Sequence, residues 1–171
     1  MNVFVLNTGR CGSMTFSRAC SHITNFTAGH ETNNGKLDRL TYPDNHIEVD
    51  NKLSWFLGSL DALYPDAFYV RLYRNPEATV SSFRKRKGSI VDGFATYILN
   101  TKRSRHTDRL YVSTVDANIR KFLHDKYYVN MDIDSSLLAF KNFWMLIGAE
   151  GDLDAALNEF KIKYNSSKKW L

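Results

Sequence analysis

The chain opens on a short β-rich run, Val3–Leu6, closed at once by Asn7-Thr8-Gly9 and followed by Met14–Ser21, whose Met14, Phe16, Ala19 and Cys20 fall at helical spacing. Strand, glycine turn and helix in so short a stretch are the start of a βα unit, and parallel strands are what such a unit serves, since they need a crossover between them. The remainder keeps the alternation. A short strand is expected at Phe26–Ala28, a polar loop rich in Asn and Gly at Gly29–Tyr42, a helix over Asp50–Leu63 marked by Leu53, Phe56, Leu57, Leu60 and Leu63, and a strand at Ala67–Tyr73. Pro76, well suited to a first helical turn, opens a helix running to about Lys87. Helices are expected again at Val91–Asn100 and Val112–His124, a strand at Tyr127–Ile133, helices at Ser136–Ile147 and Leu153–Phe160, and a frayed polar tail at Asn165–Leu171. The expected fold class is α/β: a three-layer sandwich around a short parallel sheet, forming one domain over residues 1–171.

With 43% hydrophobic residues and 24% charged ones, a chain of this length can bury a core and lies outside the disordered regime. The formal net charge is +5, and the basic residues gather in Arg84–Lys87 and Lys102–Arg105, which read either as solvated faces or as sites for a polyanion. No recognition motif accompanies that charge, so nucleic acid is not an expected partner. Cys11 and Cys20 share one strand-to-helix segment, an arrangement that suits neither a disulfide framework nor a zinc site. His22, His30, His46, His106 and His124 are scattered, and no metal is expected. The N-terminal residues run straight into the first strand, and no apolar stretch is long enough to cross a bilayer. A reducing, cytoplasmic setting without a membrane partner is expected.

The loop Asn7–Thr15 carries the chemistry. Gly9 and Gly12 permit tight turns, Ser13 and Thr15 supply hydroxyls, and Arg10 stands between the glycines without a structural reason to be there. At the start of a helix, the backbone amides and the dipole add to that guanidinium, and the combination suits phosphate or sulfate. A triphosphate-binding loop of the G-x-x-x-x-G-K-[ST] type needs a Lys before Ser13 or Thr15, which is missing. A phosphatase loop built on Cys11 needs an arginine one residue earlier than Arg18, and G-x-x-G alone is no dinucleotide fingerprint.

Gly9-Arg10-Cys11-Gly12-Ser13-Met14-Thr15-Phe16 resembles the 5′-phosphosulfate loop of the sulfotransferase family, with Arg10 at its basic position. Tyr69–Pro76, followed by Ser82, is similar to that family's 3′-phosphate segment, a strand ending in R-[DN]-P with a serine eight residues after the arginine. Tyr127–Ile133 and Ser136–Gly148 resemble its later strand, acidic turn and helix ending in Gly. The resemblance implies a P-loop-like sulfotransferase fold and transfer of a sulfuryl group from 3′-phosphoadenosine 5′-phosphosulfate to a hydroxyl or amine of a small-molecule or carbohydrate acceptor. It places Gly9, Arg10, Cys11, Gly12, Ser13, Met14 and Thr15 on the phosphosulfate and Arg74 and Ser82 on the 3′-phosphate, Ser81 competing with Ser82, while Arg10 neutralises the leaving group. Met14 stands where the family has a hydroxyl residue. The family's Arg-Lys-Gly loop over the 3′-phosphate is missing at its usual place, and Arg86-Lys87-Gly88 carries the same letters elsewhere. That departure implies weaker donor binding or completion by another subunit, as in a homo-oligomer.

An acceptor must lose its proton to a base. The resemblance favours Glu31, just after the second strand, with His30 as runner-up. His46–Asp50 forms another polar cluster and reads as the start of a helix capped by Asp50 or Asn51, with contact between His46 and an acceptor as the alternative. Two further classes share the same features: a nucleotide or polyanion-binding module without catalysis, using Arg10, Arg74 and the basic run Arg84–Lys87, and a nucleotide kinase with a divergent loop.

Overall fold

The computed structural model describes residues 1–162 and Tyr164; the expected tail at Asn165–Leu171 lies outside the described residues. Five strands, β1 (Val3–Leu6), β2 (Thr27–His30), β3 (His46–Val49), β4 (Phe68–Tyr73) and β5 (Tyr128–Asp132), form one wholly parallel sheet in the order β2-β3-β1-β4-β5. Central β1 is buried on both faces, as parallel strands between helical layers must be. Its alternation divides the core. Val3 and Val5 join Ile47, Val49, Val70 and Leu72 against α1 (Ser13–Cys20), α6 (Leu137–Leu146) and α7 (Leu153–Glu159). Phe4 and Leu6 join Tyr69 against α2 (Leu57–Leu63), α3 (Pro76–Arg84), α4 (Ile90–Gly93) and α5 (Arg105–Phe122). The α/β, three-layer expectation is therefore met. No helix among the described residues is long and apolar enough to cross a membrane.

Several elements differ from the sequence reading, each for a physical reason. His46–Asp50 does not start a helix: His46–Val49 is strand β3, paired to both β1 and β2. Its Ile47 and Val49 face one core, while His46 and Glu48 are buried on the other face, so the apolar signal is halved. Asp50 does act as a cap, accepting from the Lys52 amide, but the helix expected over Asp50–Leu63 divides into a 3-10 turn, Asn51–Trp55, and α2. The break falls at Phe56, after the Ser54 hydroxyl donates to the Asn7 carbonyl (3.1 Å) and holds the turn against the first loop.

The second strand starts later than expected and takes Gly29 and His30 out of the loop. The helix expected over Val91–Asn100 is α4 followed by a π-helical turn, Phe94–Ile98. Helix α5 begins well before Val112, because Ser104 and Thr107 form a reciprocal capping box in which each side chain accepts from the other's amide.

The chain leaves β1 for one face, through α1, and leaves the neighbouring β4 for the other, through α3. Between the carboxyl ends of two such strands an open α/β sheet has its crevice.

Candidate anion-binding cleft

The first loop is set by its backbone. Gly9, Arg10 and Gly12 all have positive φ (84°, 59° and 87°), and the non-glycine Arg10 in this region is a conformation held by its surroundings. Asn7 does part of the holding. Its side-chain oxygen accepts from the Gly9 amide (2.9 Å) and lies 3.5 Å from the Cys11 sulfur, and its own amide donates to the Val5 carbonyl (3.1 Å). Gly12 is required sterically as well: a Cβ there would lie 2.3 Å from Cγ1 of Ile133. No side chain caps α1, so the first-turn amides after Gly12 are left for something else to satisfy. Near these donors the helix dipole favours an anion.

Arg10, Gly12, Ser13, Met14 and Thr15 line one cleft with Arg74 and Ser82, and its volume of about 780 Å³ is within the range of small-molecule sites. The expected site residues from two distant segments thus meet. The Arg10 Nε donates to the Ser82 hydroxyl (3.1 Å), so this serine is joined to the first loop and not to Arg74. Arg74 instead lies 3.3 Å from the carboxylate of Asp134, at the start of the turn after β5. Burial, and next the charge of Arg86, hold the Arg10 guanidinium below its ordinary pKa, yet an arginine so placed stays cationic at neutral pH. Gly9 and Cys11 lie behind the cleft wall. The Cys11 thiol is fully buried, and burial pushes it up to about 12, which removes it as a thiolate nucleophile near neutral pH.

His30 and Glu31 are separated by the end of β2. The ring of His30 reaches the Ser13 hydroxyl, with 3.0 Å between Nε2 and Oγ. Glu31, with a positive φ of 52°, turns away, and its carboxylate lies 3.8 Å from the Lys52 ammonium. Neither lines the cleft itself. Among the described residues, no group of three or more His, Cys, Asp and Glu is arranged to hold a metal ion.

Asn7, Ser54, Asp134, Lys85 and Arg86 also belong to this site. Asn7 was readable as the residue closing β1. Lys85 and Arg86 were visible as part of the basic run Arg84–Lys87, and Asp134 as part of the acidic turn after the last strand, with nothing to say that either would face this cleft. Comparison with protein-family models, with curated proteins and with solved structures returns no match.

Proposed function

We propose that this chain is a sulfotransferase with a P-loop-like α/β fold, taking 3′-phosphoadenosine 5′-phosphosulfate as donor and a small-molecule or carbohydrate hydroxyl or amine as acceptor. The observation that carries the reading is the meeting of three anion-binding elements at the carboxyl ends of β1 and β4: the uncapped α1 amides, Arg10, and Ser82 bonded to it. The donor supplies the sulfuryl group; its bond to the bridging phosphate oxygen breaks as a new bond forms from sulfur to the acceptor atom. The amides of Ser13–Thr15 hold the phosphosulfate in line, and Arg10 offsets the charge that gathers on the leaving phosphate. Arg74 and Ser82 stand toward the 3′-phosphate.

The acceptor proton passes to a side chain. His30 is nearer the loop than Glu31, since its ring meets Ser13 while Glu31 is paired with Lys52, and we therefore place His30 first and Glu31 second. Calorimetric titration with adenosine 3′,5′-bisphosphate, ATP and AMP tests the donor class. Preference for the bisphosphate is the expected result, and a preference for ATP that needs magnesium would overturn it in favour of a kinase. Bisphosphate binding without sulfuryl transfer across a panel of acceptors would leave only a binding module.

A further inference from the structure

The basic run Arg84–Lys87 divides once α3 is in place. Ala78, Ser81, Ser82 and Lys85 follow the i, i+3, i+4, i+7 spacing of one helical face, and Arg86 continues it beyond the last turn; all five line the cleft. Arg84 points elsewhere, 3.9 Å from Asp108. The turn that carries Lys85 and Arg86 is anchored from beneath by Arg103. That guanidinium donates to the carbonyls of Phe83 and Arg86 (both 2.7 Å) and is itself fixed by the carboxylates of Asp92 and Asp108 (3.0 and 2.9 Å).

Cations at a helix C-terminus have a structural use, since they complement the dipole. That use does not explain why these two face the same cavity as Arg10, nor why no carboxylate among the described residues pairs with them. Among the described residues four cations line the cleft, Arg10, Arg74, Lys85 and Arg86, and of these only Arg74 has a carboxylate of those residues against it, that of Asp134. Arg86 is near enough to Arg10 for its charge to act on that guanidinium. The field in the cleft is therefore strongest on the α3 side and partly cancelled on the β5 side.

We infer that Lys85 and Arg86 form the principal binding wall for the second phosphate of the nucleotide, the one on the ribose 3′-oxygen, with Arg74 contributing less because Asp134 offsets it. The inference rests on the donor reading above and gives that donor's second phosphate its own residues: Ser82 bridges the two sites, touching Arg10 on one side and preceding Lys85 and Arg86 by one helical turn on the other.

The test is titration of adenosine 3′,5′-bisphosphate and of AMP into the full chain and into Lys85→Gln, Arg86→Gln, the double variant and Arg74→Gln, with thermal melting as the check that each is folded. Arg86→Gln is expected to weaken the bisphosphate on the order of tenfold and the double variant on the order of 100-fold, the scale for losing one and two charged hydrogen bonds, while AMP changes little. Arg74→Gln is expected to cost less than Arg86→Gln. The inference is overturned if the parent prefers the bisphosphate and the double variant keeps that preference, if both nucleotides weaken equally, or if Arg74→Gln proves the costlier change. A parent that binds the two nucleotides equally overturns the donor reading, and this assignment with it.

Discussion

Two polar regions adjoin the sheet, one along β2 and β3 and one at the carboxyl ends of β1 and β4, and they treat charge in opposite ways. Under the segment between β2 and β3, the buried carboxylates are matched, although the Nε of Arg39 has no partner among the described residues. Glu48, with no solvent exposure, accepts from the Thr32 amide (2.9 Å) and pairs with His46 (2.9 Å), whose other ring nitrogen lies 2.7 Å from the Thr27 hydroxyl. Asp50 is bonded to Arg39 and to the Lys52 amide. In the cleft beside β4, by contrast, Arg10 has only a hydroxyl as its side-chain partner among the described residues, and Lys85 and Arg86 line the cleft with no carboxylate among those residues paired to them. The first region resembles a folded core that happens to be polar; the second holds donors whose partners must come from outside. A cluster of charge does not mark a site, but charge left unmatched at a strand edge does.

The contrast is broken most severely through Glu48. Glu48→Gln leaves His46 without its acid inside the protein, and the expected loss is about 3–5 kcal/mol in urea unfolding, with nucleotide binding in the cleft unaltered in the folded fraction. A loss below about 1 kcal/mol would put this region in the same class as a surface pair. The acid limb sharpens the point. Burial opposes ionisation of Glu48, but the hydrogen bonds from His46 and Thr32 outweigh it and hold the carboxyl below its usual pKa. Its stabilising contribution is therefore fully present above the unfolded value, near 4 for a glutamate, and is lost as pH falls through the lower folded value. Asp50, raised mainly by burial, works in the opposite sense, its share being lost as pH rises through its raised value. Urea melts between neutral pH and about pH 3 should show a shallower acid loss in Glu48→Gln than in the parent.

In the cleft the expected effects fall on function and not on folding. Arg10→Ala should reduce sulfuryl transfer on the order of 100-fold or more, the scale for one preorganised charge stabiliser, while the unfolding midpoint stays close to the parent's. Parent-like turnover would remove Arg10 from the chemistry. His30→Asn should cost roughly 100-fold in turnover with donor binding retained, and Glu31→Gln much less. The reverse order would return the base to Glu31. The smallest expected change is at Asp134: with both partners partly exposed, Asp134→Asn should tighten adenosine 3′,5′-bisphosphate by roughly two- to fivefold through Arg74, and leave AMP unaffected. No change would mean that the Arg74–Asp134 pair does not modulate the site.

Legibility in the sequence falls along the same division. The first loop and the end of β4 were legible because glycines, Pro76 and a strand-to-helix change are local signals, and the structure brings the two segments together. Strand β3 was not, because His46 and Glu48 are buried on the face where a pattern search expects apolar residues, and their mutual satisfaction depends on Thr27 and Thr32 from a neighbouring segment. Lys85 and Arg86 were seen as members of a charge run, and nothing in that run says which of them the face of α3 will turn inward. Arg103 was equally silent: its role lies in two carbonyls and two carboxylates gathered from three stretches of chain.

Ile133 packs where a side chain at Gly12 would have to go, so the first loop is braced by the turn after the last strand. In a growing chain the loop is made well before its brace, which arrives only after β5. A segment made early relative to its brace is thus late to acquire its finished shape, and the cleft wall is complete only once the turn after β5 has emerged.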